Sequence, residues 1–300
     1  MNLLLHNMKI VIYANCQGIG ISYFLKKSID ILSNNILSNP MRNSSDERNL
    51  AGFCRNSLGF ERISHIRIDD IVFKKSNINY NLIKNADIFI YQPLDDKHGN
   101  ISTNSILKLL KPECKKISFP YIYNNSFYPV IGPLVIKDSY RSKPCSVIFN
   151  NSEIITDLID KKYNLNEILK LYQENKINFN YQKRWDYTNN ILKEKEKNCD
   201  VKIVDFIKNN FSKQRLFLLE NHPTSIIFIN VVNQILEKLE IPVKINPTNY
   251  NLNDANLSGG LIPLDDSSNN FFNYEFNIEP NNYQYYKQII TNIYNFYTQK

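Results

Sequence analysis

A chain of 300 residues with 43% hydrophobic content can bury a sizeable core, and α/β folds often reach this length as one domain. Its net charge of +7 comes from Lys and Arg dispersed among Asp and Glu, with no zinc-finger, RNP or helix-turn-helix signature, so nucleic acid is not an expected partner. Five cysteines (Cys16, Cys54, Cys114, Cys145, Cys199) are odd in number and form no C-x-x-C pair, which argues against a disulfide framework and against a structural metal.

At the N-terminus Leu3-Leu4-Leu5 is too short for a signal-peptide core, and no apolar run approaches the roughly 20 residues that span a bilayer. A cytoplasmic protein is expected. The positive charge suits a phosphorylated or nucleotide-linked small molecule, and equally a peripheral association with an anionic membrane surface.

From Lys9 the run Ile10-Val11-Ile12-Tyr13-Ala14 reads as a buried strand, and Ile21, Phe24, Leu25, Ile29 and Leu32 recur at helical spacing over Gly20 to Ile36. Between them lie Asn15-Cys16-Gln17 and the pair Gly18 and Gly20, a turn at the carboxyl edge of a strand. Free backbone N–H groups at such a helix start favour an anion or a developing oxyanion, and they lower the pKa of a thiol. Two glycines without a third at the fitting spacing do not make a dinucleotide fingerprint, so NAD is not expected.

Ser38 to Gly59 is polar and carries Arg42, Arg48 and Arg55, suited to phosphates or to simple solvation. Arg62 to Asp69 is patterned as a short strand. Asp87-Ile88-Phe89-Ile90-Tyr91 is a second buried strand that gives way at once to Gln92-Pro93, placing Gln92 beside Cys16 if the two strands are parallel neighbours. Its amide there could donate to an oxyanion or simply be satisfied within its loop. Asp95, Asp96 and His98 cluster on a polar turn, where solvation is the better reading than a metal site.

Ser102 to Leu110 reads as a capped helix, and Ile117 to Phe119 as a third strand that Pro120 ends. Alternation of strand and helix implies a parallel sheet with right-handed crossovers. Ser152 to Asn210 changes character: Leu158, Ile159, Leu165, Ile168, Leu169 and Tyr172 recur at helical spacing, and two further amphipathic helices follow. The expectation is a single α/β domain over residues 8–300, with a helical insertion at 152–211. Arg215 to Glu220 resumes as a strand, Asn221-His222-Pro223-Thr224 turns into a long helix, and Asn282 to Tyr297 forms the last one. His222 is the one histidine of four at a strand's carboxyl end, where a base for Cys16 would stand.

Asn15-Cys16-Gln17 after a first strand resembles the opening motif of the WcbI family, acetyltransferases of capsular polysaccharide biosynthesis. Asp87 to Pro93, Ile117 to Tyr123 and Asn221-His222-Pro223-Thr224 support the likeness in order and spacing. The resemblance implies a CoA-dependent acetyltransferase that acts on a sugar hydroxyl and needs no metal. It implies acetyl-CoA contacts at Gly18, Asn15, Tyr121 and Asn221, the segment from Tyr121 being a pocket-lining loop in the family. His222 would be the base on the acceptor or on Cys16, and the amides of Asn15, Gln17 or Gln92 would steady the oxyanion. Cys16 either carries the acetyl group or lines the thioester pocket.

A looser resemblance to the SGNH hydrolases implies a flavodoxin-like three-layer core. The chain departs from their pattern in two places: a cysteine replaces the serine, and Glu220 stands two residues before His222 instead of three. On a strand Glu220 and His222 would share a face. A cysteine-dependent esterase or deacetylase is therefore the alternative, and a non-catalytic glycan-binding protein a third reading. The sugar and the oligomeric state stay open at this stage.

Overall fold

Ile10-Val11-Ile12-Tyr13-Ala14 forms a strand buried along its whole length, as a β-branched run covered on both faces should. The computed structural model describes residues 8–37, 63–74, 76–130, 153–257, 261–279 and 282–298. The Arg42, Arg48 and Arg55 segment, Cys54 and Cys145 lie outside the described residues. Two compact units are present. The first comprises Met1–Ile122, Leu192–Phe206 and Pro223–Ser258, and the second Tyr123–Ile191, Ile207–His222 and Gly259–Lys300.

The first unit holds β1 (Ile10–Ala14), α1 (Gln17–Leu37), β2 (Ile63–Arg67), α2 (Ile68–Lys74), α3 (Tyr80–Lys84), β3 (Ile88–Tyr91), a 3-10 turn (Asp96–Ile101), α4 (Thr103–Leu107) and β4 (Lys115–Ser118). All three strand pairings are parallel and the order is β2-β1-β3-β4, with Tyr13 opposite Ile66 on one side and Tyr91 on the other. The fold is thus the expected α/β class. Alternate residues serve opposite faces. Val11, Tyr13, Ile66 and Phe89 join Ile68, Ile83 and Ile106 in one core cluster, while α1 packs on β1, β2 and the long helix described next.

Two sequence expectations shift here. The strand predicted for Arg62 to Asp69 stops at Arg67, because Asp69 and Asp70 open α2 and their charges suit a helix start. Helix α3 was not foreseen, being too short for periodicity to show.

Farther along are α5 (Glu153–Asp160), α6 (Leu165–Gln173), α7 (Tyr181–Glu196), α8 (Val204–Asn210), β5 (Phe217–Leu219), β6 (His222–Pro223), α9 (Ser225–Lys238), α10 (Asp266–Phe272) and α11 (Asn282–Thr298). Helix α9 belongs to the first unit and meets α1: a Cβ on Gly20 would lie 2.7 Å from the ring of Phe228, so glycine permits the close approach. The second unit is built around aromatic rings. Phe127, Trp185, Phe211 and Phe272 pack with centroids 4.6 to 6.4 Å apart, and α11 packs on α5 and α6. Asp265, 1% exposed, caps α10 and receives the hydroxyls of Tyr172 and Ser267.

Candidate active site

Strand β1 ends at Ala14, and α1 begins only three residues later, at Gln17. Asn15 makes that sharp turn work. Its Oδ1 accepts from Gln17 N at 2.9 Å and its carbonyl from Gly18 N at 3.0 Å, while the Cys16 carbonyl accepts from Ile19 N at 3.0 Å. The backbone donors of Gln17, Gly18 and Ile19 are therefore bound within the turn.

The three carboxyl-edge loops are joined by two glutamines. Gln92, at the end of β3, accepts from Asn15 N with Oε1 at 3.0 Å and donates from Nε2 to Gln17 Oε1 at 2.9 Å. Gln17 in turn donates to the Ile122 carbonyl at 2.5 Å, and its Oε1 accepts from Ile122 N at 3.1 Å. Both side chains are buried, at 0% and 4% exposure. The parallel pairing of β1 with β3 brings Gln92 beside the Asn15–Gln17 turn, and these bonds lock the turn to the loop that carries Tyr121.

Cys16 is half-buried at the head of this arrangement. Burial pushes its thiol up, and the charge of Asp69 adds to that; Arg67 and the backbone N–H groups of Cys16 and Gln17 pull the other way without prevailing. The expected lowering by the helix start is thus outweighed by desolvation. Arg67 sits opposite Ala14 on β2 and pairs with Asp69, with Asp70 3.6 Å from its Nε.

His65, also on β2, escaped the sequence reading because its strand looked unremarkable. Its Nε2 lies 3.2 Å from the Ala14 carbonyl, and burial holds its pKa below the usual imidazole range. Gly18 makes room for it: a Cβ there would come within 2.2 Å of Nε2. The glycine is helical and lets the His65 ring pack closely against the first turn. Tyr121 stands one residue before Ile122, and the ammonium of Lys195, from the last turn of α7, lies 5.0 Å from its ring centroid.

Asn221 and His222 belong to the second unit, and His222 is 9% exposed. Glu220 and Asn221 form a turn between β5 and His222, so the expected sharing of a strand face does not hold. Glu220 accepts from the Tyr123 hydroxyl at 3.3 Å, and its carbonyl accepts from Asn124 N at 2.7 Å. Burial raises its carboxyl to about 7, against the hydrogen bond from Tyr123 and the charge of Arg184.

Asp95 and Asp96, read as a solvated turn with His98, accept from Lys97 N and from the Asn104 amide. Among the described residues no group of three or more His, Cys, Asp or Glu is placed to hold a metal, and no helix is long and apolar enough to cross a membrane.

A model of the polysaccharide biosynthesis enzyme WcbI matches residues 48–244, a span that includes Gln92, Tyr121, Asn221 and His222 and leaves Asn15 to Gly18 outside. A solved structure of WcbI, a polysaccharide biosynthesis enzyme described in its native form without a disulfide between CoA and one of its cysteines, superposes with a TM-score of 0.60. It is 14% identical and the match covers 96% of this chain and 94% of that one, which is a likeness of fold. No curated protein sequence matches the chain.

Proposed function

Because the chain belongs to the WcbI family of polysaccharide biosynthesis enzymes, we propose that it moves an acetyl group from acetyl-CoA to a sugar hydroxyl in building a capsular or surface polysaccharide. The observation that carries this is the half-exposed thiol of Cys16 at the carboxyl edge of β1, on a fold shared with a protein described in terms of CoA and a cysteine. Ligands of open α/β sheets settle at that edge, where the strand order changes direction. Here the change falls between β1 and β3, at Cys16 and Gln92.

The residues suit such a coenzyme. A thiol kept neutral by burial can lie against a thioester sulfur without the repulsion that a thiolate would bring. When bound, the coenzyme supplies an acetyl group already activated as a thioester. The chain's own part is to position and to move a proton. Asn15 fixes the turn that presents Cys16, and the Gln17–Gln92 pair fixes the turn to the Tyr121 loop. In the family's pattern His222 is the base: its imidazole takes the proton of the acceptor hydroxyl as that oxygen bonds to the acetyl carbon, the bond from that carbon to the coenzyme sulfur breaks, and the proton passes to the sulfur, which leaves as the thiol. In this direct route Cys16 lines the pocket and carries no acetyl group.

The test is calorimetric titration of CoA and acetyl-CoA into the intact protein, with intact-mass measurement after incubation. Micromolar binding and an unmodified mass are expected. An acetyl adduct on Cys16 would replace the direct route by a covalent one. Absence of binding would sink the transferase and favour an esterase that uses water. His222→Ala should abolish transfer while leaving CoA affinity within about twofold.

A further inference from the structure

Within the second unit, the turn after β5, the loop from Tyr123 and helix α7 bring together polar groups whose hydrogen bonds are not all made. Glu220 is half-buried, and the Tyr123 hydroxyl at 3.3 Å is the one donor to its carboxyl among the described residues. Arg184, half-buried on α7, donates from Nε to the Phe179 carbonyl at 3.0 Å. It forms no ion pair among the described residues, although the charges of Glu220 and Glu153 act on it. A guanidinium and a carboxyl this near usually close into a fork. Here they stay apart.

The loop beside them is fixed and carries an unmet donor. Asn124, 0% exposed, donates its backbone N–H to the Glu220 carbonyl at 2.7 Å, and its Oδ1 accepts from Ser126 N at 3.0 Å. Its Nδ2 has no hydrogen-bond partner among the described residues. Buried donors are nearly always satisfied, so this one calls for a partner from outside the chain. Asn125 accepts from the Thr188 hydroxyl at 2.8 Å. Thr188 stands four residues after Arg184, on the same face of α7, so that face meets the loop.

A ligand lodged between these groups must accept from a guanidinium and an amide and also donate to a carboxyl. A hydroxyl does both, and two adjacent hydroxyls on one ring serve both sides at once. An anion would meet Glu220 and a cation would meet Arg184, so a neutral group suits the pair best. We propose that Tyr123, Asn124, Arg184 and Glu220 form a subsite for a neutral saccharide, which lodges a vicinal diol between the Glu220 carboxyl and the Arg184 guanidinium. The choice of a saccharide rests on the function proposed above. His222 follows Glu220 by two residues within the same unit, so a sugar held here is the acceptor of that reaction.

The experiment is a saturation-transfer NMR titration of the full chain with methyl β-D-glucopyranoside, methyl β-D-galactopyranoside and methyl α-D-mannopyranoside, with glucuronate as the charged probe. At least one neutral glycoside should bind in the millimolar range. Arg184→Met and Glu220→Leu should each weaken it about tenfold, whereas Glu220→Gln, which still donates and accepts, should keep most of the affinity. Tyr123→Phe deletes one hydroxyl with little risk to the fold and should weaken it about threefold. Calorimetry with CoA is the control, and its affinity should be the same in every variant. A parent that binds no CoA would refute the proposed function and leave the glycosides to decide the subsite. Binding of none of the three glycosides would overturn the subsite, as would equal glycoside affinity in the parent, Arg184→Met and Glu220→Leu. Glucuronate binding more tightly than every glycoside would overturn the assignment of a neutral diol.

Discussion

A thiol at the start of a helix is usually more acidic than one in water, yet Cys16 is held the other way. The reason is local: burial desolvates the thiol and outweighs the backbone N–H groups of Cys16 and Gln17, and Asp69 places a negative charge nearby. Removing that charge while keeping Arg67 should shift the balance toward the thiolate. Asp69→Asn is expected to speed alkylation of Cys16 by iodoacetamide at neutral pH about threefold to tenfold, and Arg67→Met to slow it, read by peptide mass. Equal rates in all three proteins would show that the pair does not tune the thiol. Glu220 offers a second residue-scale test. Its folded value of about 7 lies above the ordinary 4.5, so the folded chain holds the proton more tightly than the unfolded one. Stability therefore falls as pH rises from about 4.5 to about 7, and above that the full penalty applies. Glu220→Gln should match the parent near pH 4 and gain up to about 3 kcal/mol near pH 8 in urea unfolding. Parallel curves for the two proteins across that range would refute it. Cys16 and Gln92 were legible from the sequence because each ends a strongly patterned strand. Glu220 was misplaced because a strand of only three residues, Phe217–Leu219, ends before it.

At the scale of elements, the glycines of the first turn carry the clearest lesson. In sequence, Gly18 and Gly20 mark the turn after β1; in the structure both lie within α1 and meet packing partners far along the chain. Gly18 faces the imidazole of His65, which is half-buried and can swing aside. Gly20 faces Phe228, a ring 1% exposed within α9. A methyl group against a locked aromatic must part the two helices, and overpacking of this kind costs about 1–3 kcal/mol. Gly20→Ala should therefore lower the urea midpoint more than Gly18→Ala does. The reverse order would mean that His65, not Phe228, is the rigid neighbour. The sheet itself was readable because β1 and β3 are apolar runs with sharp polar ends. Helices of five and seven residues, such as α3 and α2, are too short to display a period, and Asp69, in the first turn of α2, looked like the end of a strand.

For the whole molecule, composition foretold an ample core and alternation foretold the parallel sheet, but neither could show which distant segments tie each unit together. Arg215 illustrates why. In sequence it merely begins an apolar run; in the second unit it is 5% exposed and reaches residues 47 and 64 positions away. Its Nε donates to the Phe217 carbonyl at 3.0 Å, one terminal nitrogen meets Glu279, and the other meets the Ile262 carbonyl and the Tyr128 hydroxyl, the latter at 3.2 Å. Glu279 also accepts from Leu264 N at 3.1 Å, so one ion pair organises four segments. Removing one member of a fully buried pair costs about 3–5 kcal/mol, and since the Glu279 side chain is 29% exposed and can regain some water, a loss of about 2–3 kcal/mol is expected here. Arg215→Met keeps the volume while stranding Glu279. It should lower unfolding stability by that amount, with faster amide exchange at Phe217–Leu219 and at 262–264. A loss below about 1 kcal/mol, the scale of an exposed pair, would show that Arg215 is wetter in solution than its contacts imply. Arg215→Met together with Glu279→Leu would then separate the two causes, since removing both charges should recover most of the loss if the stranded carboxylate is what destabilises the single variant.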